Sequence, residues 1–102
     1  MVRYRVMETP NAAWSLSPLR DLSGSGARFM CEVTFPVGTS LELQLLLPPA
    51  KDPLPLAARV AWAKPGPMQL TEHGVVFEAI DATSQQLLEH AVTYFLRKEP
   101  SK

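Results

Sequence analysis

The chain has 102 residues, of which 46% are hydrophobic, and this is enough to fill the core of one small domain. Ten lysines and arginines balance ten aspartates and glutamates, so the net charge is zero. Proteins that bind duplex DNA normally carry a basic excess. We therefore predict a single domain over residues 1–102 that does not bind DNA.

Cysteine usage and the distribution of apolar residues bear on the compartment. A single cysteine, Cys31, excludes an internal disulfide and a cysteine-based zinc site. Residues 1–6 alternate charged and apolar side chains and lack the apolar core of a signal peptide. The leucine run of residues 41–47 contains Glu42 and Gln44 and is too short to cross a bilayer. We expect a soluble, cytoplasmic chain without membrane insertion.

Alternating apolar residues, separated by turn-forming residues, predict six short strands in the first eighty residues. We expect them over about residues 2–7, 12–21, 27–33, 40–47, 56–63 and 68–80. Trp14 and Leu16 are expected to face inward on the second strand, and Val60 and Trp62 on the fifth. Pro18 indicates an edge or a bulge in the second segment. Six strands at near-regular spacing are typical of a barrel or a sandwich.

The hydrophobic period changes after residue 80. The apolar side chains there fall on one face of a helix: Leu87, Leu88, Ala91, Val92 and Phe95. Thr83 followed by Gln86 matches a capping box, Asp81 adds negative charge near the helix start, and Pro100 ends the run. We predict a helix over about residues 83–98, whose apolar face covers one end of the barrel.

The turn of residues 21–26, here called the motif turn, combines an acid, a hydroxyl and glycines. Asp21 and Ser23 are two residues apart at a strand end, so their side chains are expected to point the same way. They offer an acceptor carboxylate and a hydroxyl, while Gly24 and Gly26 permit positive φ and close approach of a ligand to backbone amides. An ordinary β-turn uses the same residue types, so the residues alone leave both interpretations open.

The pattern Asp21-x-Ser23-x-x-Gly26 matches the Asp/Asn-x-Ser-x-x-Gly motif of PilZ domains, and the chain resembles that family along most of its length. Three later stretches look like its turn into a leucine-rich strand, its fifth strand, and its closing strand with the helix entry: residues 36–41, 59–62 and 73–81. The resemblance implies an all-β fold, a six-stranded antiparallel split barrel over about residues 2–80 with a C-terminal helix.

The resemblance also implies a function, that of a bacterial receptor for the second messenger cyclic di-GMP. Asp21 would accept hydrogen bonds from a guanine edge or orient an arginine. Ser23 would bind a phosphate or a base, and Gly26 would let the backbone approach the ligand. No cofactor besides this ligand is implied. The partners implied are a downstream effector protein or a fused domain, and we expect a monomer or a weak dimer.

The chain departs from the family at the N-terminal Arg-x-x-x-Arg motif, whose arginines hold the ligand's phosphates. Here Arg3 and Arg5 are spaced by one residue, and Met7 follows. Arg5 and Arg20 are therefore included among the predicted ligand-binding residues, and Arg28 is a further cation that would compensate in part. The missing motif keeps a second hypothesis open: a degenerate PilZ-like domain that binds a protein and no nucleotide.

The remaining chemistry-bearing residues do not indicate catalysis or metal binding. His73 and His90 have no carboxylate or cysteine at metal-ligand spacing, so both are interpreted as surface or packing residues. Cys31 alternates with Phe29 and Val33 in a strand, which favours a buried, inert thiol. Trp62 offers a face on which a base could stack, but its place in an apolar register favours the core. We predict no enzyme activity.

Overall fold

The computed structural model describes residues 1–8, 11–47 and 52–98, and within these ranges it contains seven strands, a short 3-10 helix at Pro67–Gln69 and one α-helix. The strands are β1 (Val2–Val6), β2 (Ser15–Ser17), β3 (Leu19–Leu22), β4 (Gly26–Cys31), β5 (Ser40–Leu45), β6 (Leu54–Pro65) and β7 (Thr71–Glu78), and the helix is α1 (Ala82–Lys98). Residues 99–102 lie outside the described residues, and they include Pro100, the predicted end of the helix.

All seven strands form one antiparallel sheet in the order β2-β1-β5-β6-β7-β4-β3. The two outermost strands, β2 and β3, are neighbours in the sequence and are separated by Pro18 alone. The sheet therefore curls back on itself into a nearly closed barrel. At the seam the Met30 N–H donates to the Ser17 hydroxyl at 3.3 Å, and Ser17 is buried. This is the predicted PilZ-like barrel.

The structure has seven strands where six were predicted because the second predicted segment is divided at Pro18. Proline has no N–H to contribute to a ladder, so the pairing of one continuous strand ends there. Residues before it pair with β1, and residues after it pair with β4. One stretch of chain thus closes both edges of the sheet.

The core contains the side chains that alternate toward the inside of the barrel, as the period of two predicts. On β5 the inward residues Leu41, Leu43 and Leu45 are at most 2% exposed. They are joined by Val2, Phe29 and Val60, each no more than 1% exposed.

Two residues predicted to face the core are exposed. Leu16 is 57% exposed because the register pairs Val2 with Ser17, which puts Ser17 in the inward position and Leu16 in the outward one. Trp62 is 37% exposed because the β6–β7 register shifts between Val60 and Trp62, and this irregularity turns the indole outward. Trp14, also predicted to face the core, is partly buried.

The helix begins at Ala82 and is capped by Asp81. The capping box predicted Thr83 as the cap, two residues later. The Asp81 carboxylate accepts the Ser84 backbone N–H at 2.7 Å, and this hydrogen bond lowers the pKa of Asp81 below its usual value. Leu88 and Ala91 are buried, and the helix contacts β6. Leu87, predicted on the same face, is 46% exposed.

Cys31 and His73 have titratable side chains that are buried in the core. Burial raises the pKa of Cys31 to about 11, in agreement with the predicted inert thiol. His73 is fully buried, its ring lies 5.4 Å from that of Phe35, and its Nε2 accepts the Phe35 backbone N–H at 2.9 Å. Desolvation lowers the pKa of His73, so the ring is held neutral as an acceptor that fixes the loop before β5.

We expect Leu43→Ala to lower the free energy of unfolding by about 2–5 kcal/mol, because it leaves a cavity in the barrel core. The matched control is Leu16→Ala, whose side chain is 57% exposed and which should change stability by no more than about 0.5 kcal/mol. Urea unfolding followed by circular dichroism measures both. Similar losses for the two variants would contradict the register given above.

We expect the free energy of unfolding to fall as the pH decreases from about 7.5 toward about 5. The unfolded chain takes up a proton on His73 near the usual pKa of 6.5, whereas the folded chain does so only at lower pH. The unfolded state then binds more protons, which favours unfolding. Urea titrations across this range should show a weaker pH dependence for His73→Gln and an unchanged one for His90→Ala, whose side chain is exposed.

Candidate functional site

An open pocket of about 240 Å³ lies where β3, β4, β6 and β7 meet. The motif turn forms one wall through Asp21, Ser23 and Gly26, while Arg28 and Trp62 line it as well. Three of the five predicted ligand-binding residues are thus brought together.

Ser23 holds the motif turn in shape. Its hydroxyl oxygen accepts the backbone N–H groups of Ser25 at 3.2 Å and Gly26 at 3.1 Å, and its own N–H donates to the Gly26 carbonyl at 2.9 Å. The turn is also attached to the end of β7, since the Phe77 N–H donates to the Ser25 carbonyl at 2.9 Å. The Ser23 hydroxyl therefore already has an internal role, which a ligand would have to share.

Gly26 is required for close packing of two strands and not for an unusual φ. A Cβ built on Gly26 would collide with the Val75 carbonyl oxygen of β7. Among the glycines that the structure describes, positive φ occurs at Gly38, which lies outside the motif turn. The positive φ that Gly24 and Gly26 permit is not adopted in the motif turn, and the close approach at Gly26 is one of backbone to backbone.

Asp21 keeps part of its carboxylate available. Oδ1 accepts the Leu22 backbone N–H at 2.9 Å, and Oδ2 lies 3.7 Å from the Arg28 guanidinium. The side chain is 60% exposed. A carboxylate has about four acceptor positions, so Asp21 can accept further hydrogen bonds from a ligand in the pocket.

Arg28 is the arginine that reaches this pocket. Its guanidinium lies 3.3 Å from the Glu72 carboxylate on β7 as well as near Asp21, and its side chain is 40% exposed. Its Nε is buried, with no hydrogen-bond partner among the described residues. Guanidinium groups bind phosphates with two parallel hydrogen bonds, so Arg28 is the group in this pocket suited to an anion.

Trp62, whose apolar register predicts a position in the core, instead supplies an aromatic surface to the pocket. The indole packs so closely on Gly74 that a Cβ there would collide with the ring. The Lys64 ammonium lies 5.5 Å from the ring centroid. The ring is thus fixed against β7 while remaining partly exposed, which is the arrangement that base stacking needs. The signal for an exposed Trp62 is Gly74, a glycine directly opposite the tryptophan on the paired strand β7.

The other two predicted ligand-binding residues lie elsewhere. Arg5 pairs with Glu42 at 2.6 Å and lies 4.1 Å from the centre of the Trp14 ring, beside a separate pocket of about 340 Å³. Arg20 is exposed and borders a groove of about 650 Å³ at the barrel seam. Neither residue lines the pocket that contains the motif turn.

The described residues offer little for a metal ion or a membrane span. Within residues 1–8, 11–47 and 52–98, no three histidine, cysteine, aspartate or glutamate side chains come together at a position that could hold a metal. No helix in the same ranges has the length and apolar character needed to cross a bilayer.

The PilZ domain family model matches residues 2–94, nearly the whole chain. This chain belongs to the PilZ domain family. PilZ domains are ligand-binding regulatory domains, not enzymes, and the family is one of cyclic di-GMP receptors. The resemblance read from the motif turn and the later strands is therefore confirmed.

Solved structures include a similar fold. The inhibitor of motility MotI/DgrA from Bacillus subtilis superposes with a TM-score of 0.68 at 23% sequence identity, over 96% of this chain and 47% of that protein. This chain thus spans about half the length of that protein, and the likeness at this identity establishes the fold. No curated protein matches the sequence.

We expect Gly26→Ala to lower the free energy of unfolding of this PilZ domain by about 1–3 kcal/mol, because the added methyl group forces β4 and β7 apart. Gly24→Ala is the matched control. A Cβ at Gly24 has Gln85 Nε2 as its nearest neighbour at 3.6 Å, an ordinary contact, so stability should stay the same or rise by about 0.4–1 kcal/mol. Urea unfolding measures both, and equal effects would refute the packing role of Gly26.

Proposed function

We propose that this PilZ domain binds cyclic di-GMP at the pocket of the motif turn, Arg28 and Trp62, and acts as a second-messenger receptor. The observation that carries the proposal is the convergence of three kinds of group in one pocket. An exposed carboxylate, a guanidinium and an indole face line it together. Each of them suits a different part of a purine dinucleotide.

The chemistry assigns one ligand group to each side chain. Guanine presents N–H donors on its Watson–Crick edge, and Asp21 has free acceptor positions for them. A phosphate would be bound by Arg28 through charge-assisted hydrogen bonds. The purine ring would stack on Trp62, an interaction that contributes about 1–3 kcal/mol per base. Ser23 would keep the turn that presents Asp21 in shape.

The size of the pocket limits how much of the ligand it holds. Its volume of about 240 Å³ lies below the about 300–1,000 Å³ that is usual for small-molecule sites. We therefore assign it one guanine and the adjacent phosphate of cyclic di-GMP. The rest of the ligand would extend beyond the pocket, where the family's Arg-x-x-x-Arg motif, which this chain lacks, would contact it; Arg5 and Arg20 do not line this pocket.

Binding is proposed to act on a partner. A downstream effector protein or a fused domain would detect the difference between the empty and the occupied pocket. The similarity to an inhibitor of motility, of which this chain covers 47%, supports motility as one process under such control.

Titration calorimetry with cyclic di-GMP tests the proposal. We expect a folded wild-type domain to release or absorb heat on binding, and Asp21→Ala and Arg28→Ala each to weaken the Kd about tenfold to hundredfold. The estimate follows from about 1.5–3 kcal/mol for a hydrogen bond to a charged group. Asp52→Ala and Arg3→Ala are the matched controls. These residues carry the same charges on exposed side chains away from the pocket, and their Kd should equal that of the wild type.

Tryptophan emission provides a second readout of the same binding. In a Trp14→Phe background Trp62 is the remaining tryptophan, and stacking of guanine on its ring should change its emission with the Kd found by calorimetry. The absence of heat at high micromolar ligand, from wild-type protein shown to be folded by circular dichroism, would refute the proposal.

A second candidate function is that of a PilZ domain that binds a protein and no nucleotide. A groove of about 650 Å³ at the barrel seam favours it, since this groove is bordered by the exposed apolar side chains of Leu16 and Met68. Apolar side chains exposed together in a groove are typical of protein contacts. A folded domain that gives no heat with cyclic di-GMP would leave this candidate in place of the first.

A further inference from the structure

A buried carboxylate lies next to the arginine assigned to the phosphate. Glu72 is on β7, and its side chain is 10% exposed. The register pairs it with Met30 of β4 and with Lys64 of β6. Arg28, two residues before Met30 and on the same face of β4, reaches it diagonally at 3.3 Å, and the Lys64 ammonium lies 3.6 Å away on the other side.

Burial makes Glu72 dependent on these two cations. A carboxylate removed from water needs paired charges, because an unpaired buried charge costs several kcal/mol. The cations are less dependent on Glu72, because Arg28 is 40% exposed and Lys64 is 60% exposed, so water solvates both. When Arg28 turns to a ligand, the guanidinium exchanges one anionic partner for another, and Glu72 keeps Lys64 as its remaining cation.

The guanidinium of Arg28 is already shared between two carboxylates. One terminal nitrogen faces Glu72 and the other faces Asp21. A phosphate bound by two parallel hydrogen bonds needs two adjacent N–H groups of the same fork. A phosphate that binds both terminal nitrogens therefore competes with Glu72 and Asp21 for them, and its charge is repelled by both carboxylates.

We propose that Glu72 is a specificity-determining residue that lowers the affinity of this pocket for phosphate-bearing ligands by competing with the phosphate for Arg28. The inference rests on the proposed function, since the ligand phosphate is that of cyclic di-GMP. Neutralising Glu72 frees the guanidinium and removes a negative charge that lies 3.3 Å from it. A side chain with a merely structural role would have the opposite effect, because its loss would loosen the site and weaken binding.

The test is titration calorimetry of Glu72→Gln with cyclic di-GMP, in about 0.15 M salt to screen distant charges. We expect the Kd to decrease about three- to fivefold, the order set by the loss of one partly exposed ion pair, that between Glu72 and Arg28. Glu78→Gln is the matched control. Glu78 is on the same strand and pairs with Arg59 at 2.9 Å, outside the pocket, so its removal should leave the Kd within about twofold.

A double-mutant cycle shows whether Arg28 carries the effect. If Glu72 acts by competing for Arg28, the gain from Glu72→Gln should disappear in an Arg28→Ala background. A gain of equal size with and without Arg28 would mean a general effect of charge and would overturn the proposal. If Glu72→Gln does not fold, Glu72→Asp withdraws the carboxylate by one methylene and should also lower the Kd, and an unchanged or higher Kd for it would count against the inference.

The outcomes separate this inference from the proposed function. If the wild type binds and Glu72→Gln binds no more tightly, the inference fails and the receptor function stands. If the wild type gives no heat and Glu72→Gln binds, the receptor function fails for the wild type and the inference stands. If neither protein binds, both are overturned.

Discussion

The close approach of β4, β6 and β7 is the constraint on which the candidate site depends. Gly26 allows the start of β4 to lie against the Val75 carbonyl, and Gly74 allows the Trp62 indole to pack closely on β7. At either position a residue with a Cβ would collide with the atoms that the glycine contacts. Together they place the motif turn, Arg28 and an aromatic face within one pocket, although these groups are far apart in the sequence.

The electrostatics of the pocket follow from how its few charges are paired. Arg28 is held between Asp21 and Glu72, and Lys64 joins Glu72 from the next strand. The pocket therefore has no surplus of positive charge, in keeping with a chain whose net charge is zero. A phosphate of the proposed ligand would compete with these carboxylates for the guanidinium. Under the proposed function, the balance between these carboxylates and the ligand, and not the mere presence of an arginine, would set the affinity of this domain.

Several elements could be predicted because they depend on local order alone. Alternation of leucines fixes the inward face of β5, and the change to a helical period near residue 82 places α1. The motif turn could be recognised because its residue types occur at fixed spacing. The errors concern contacts with other strands. Leu16 faces outward because of its pairing with Arg3, and Trp62 does so because of an irregularity opposite Gly74.

The sequence by itself determined the family, the barrel with its helix, and the motif residues Asp21, Ser23 and Gly26, since each of these is recorded in residue order and spacing. The tertiary structure alone decided which arginine accompanies them. In the sequence, nothing distinguishes Arg28 from Arg5 and Arg20 as the cation of the site. In the structure, strand register places the three arginines beside three different pockets. Register depends on pairing between distant segments, where a shift of one residue reverses every side chain, and no local pattern contains that information.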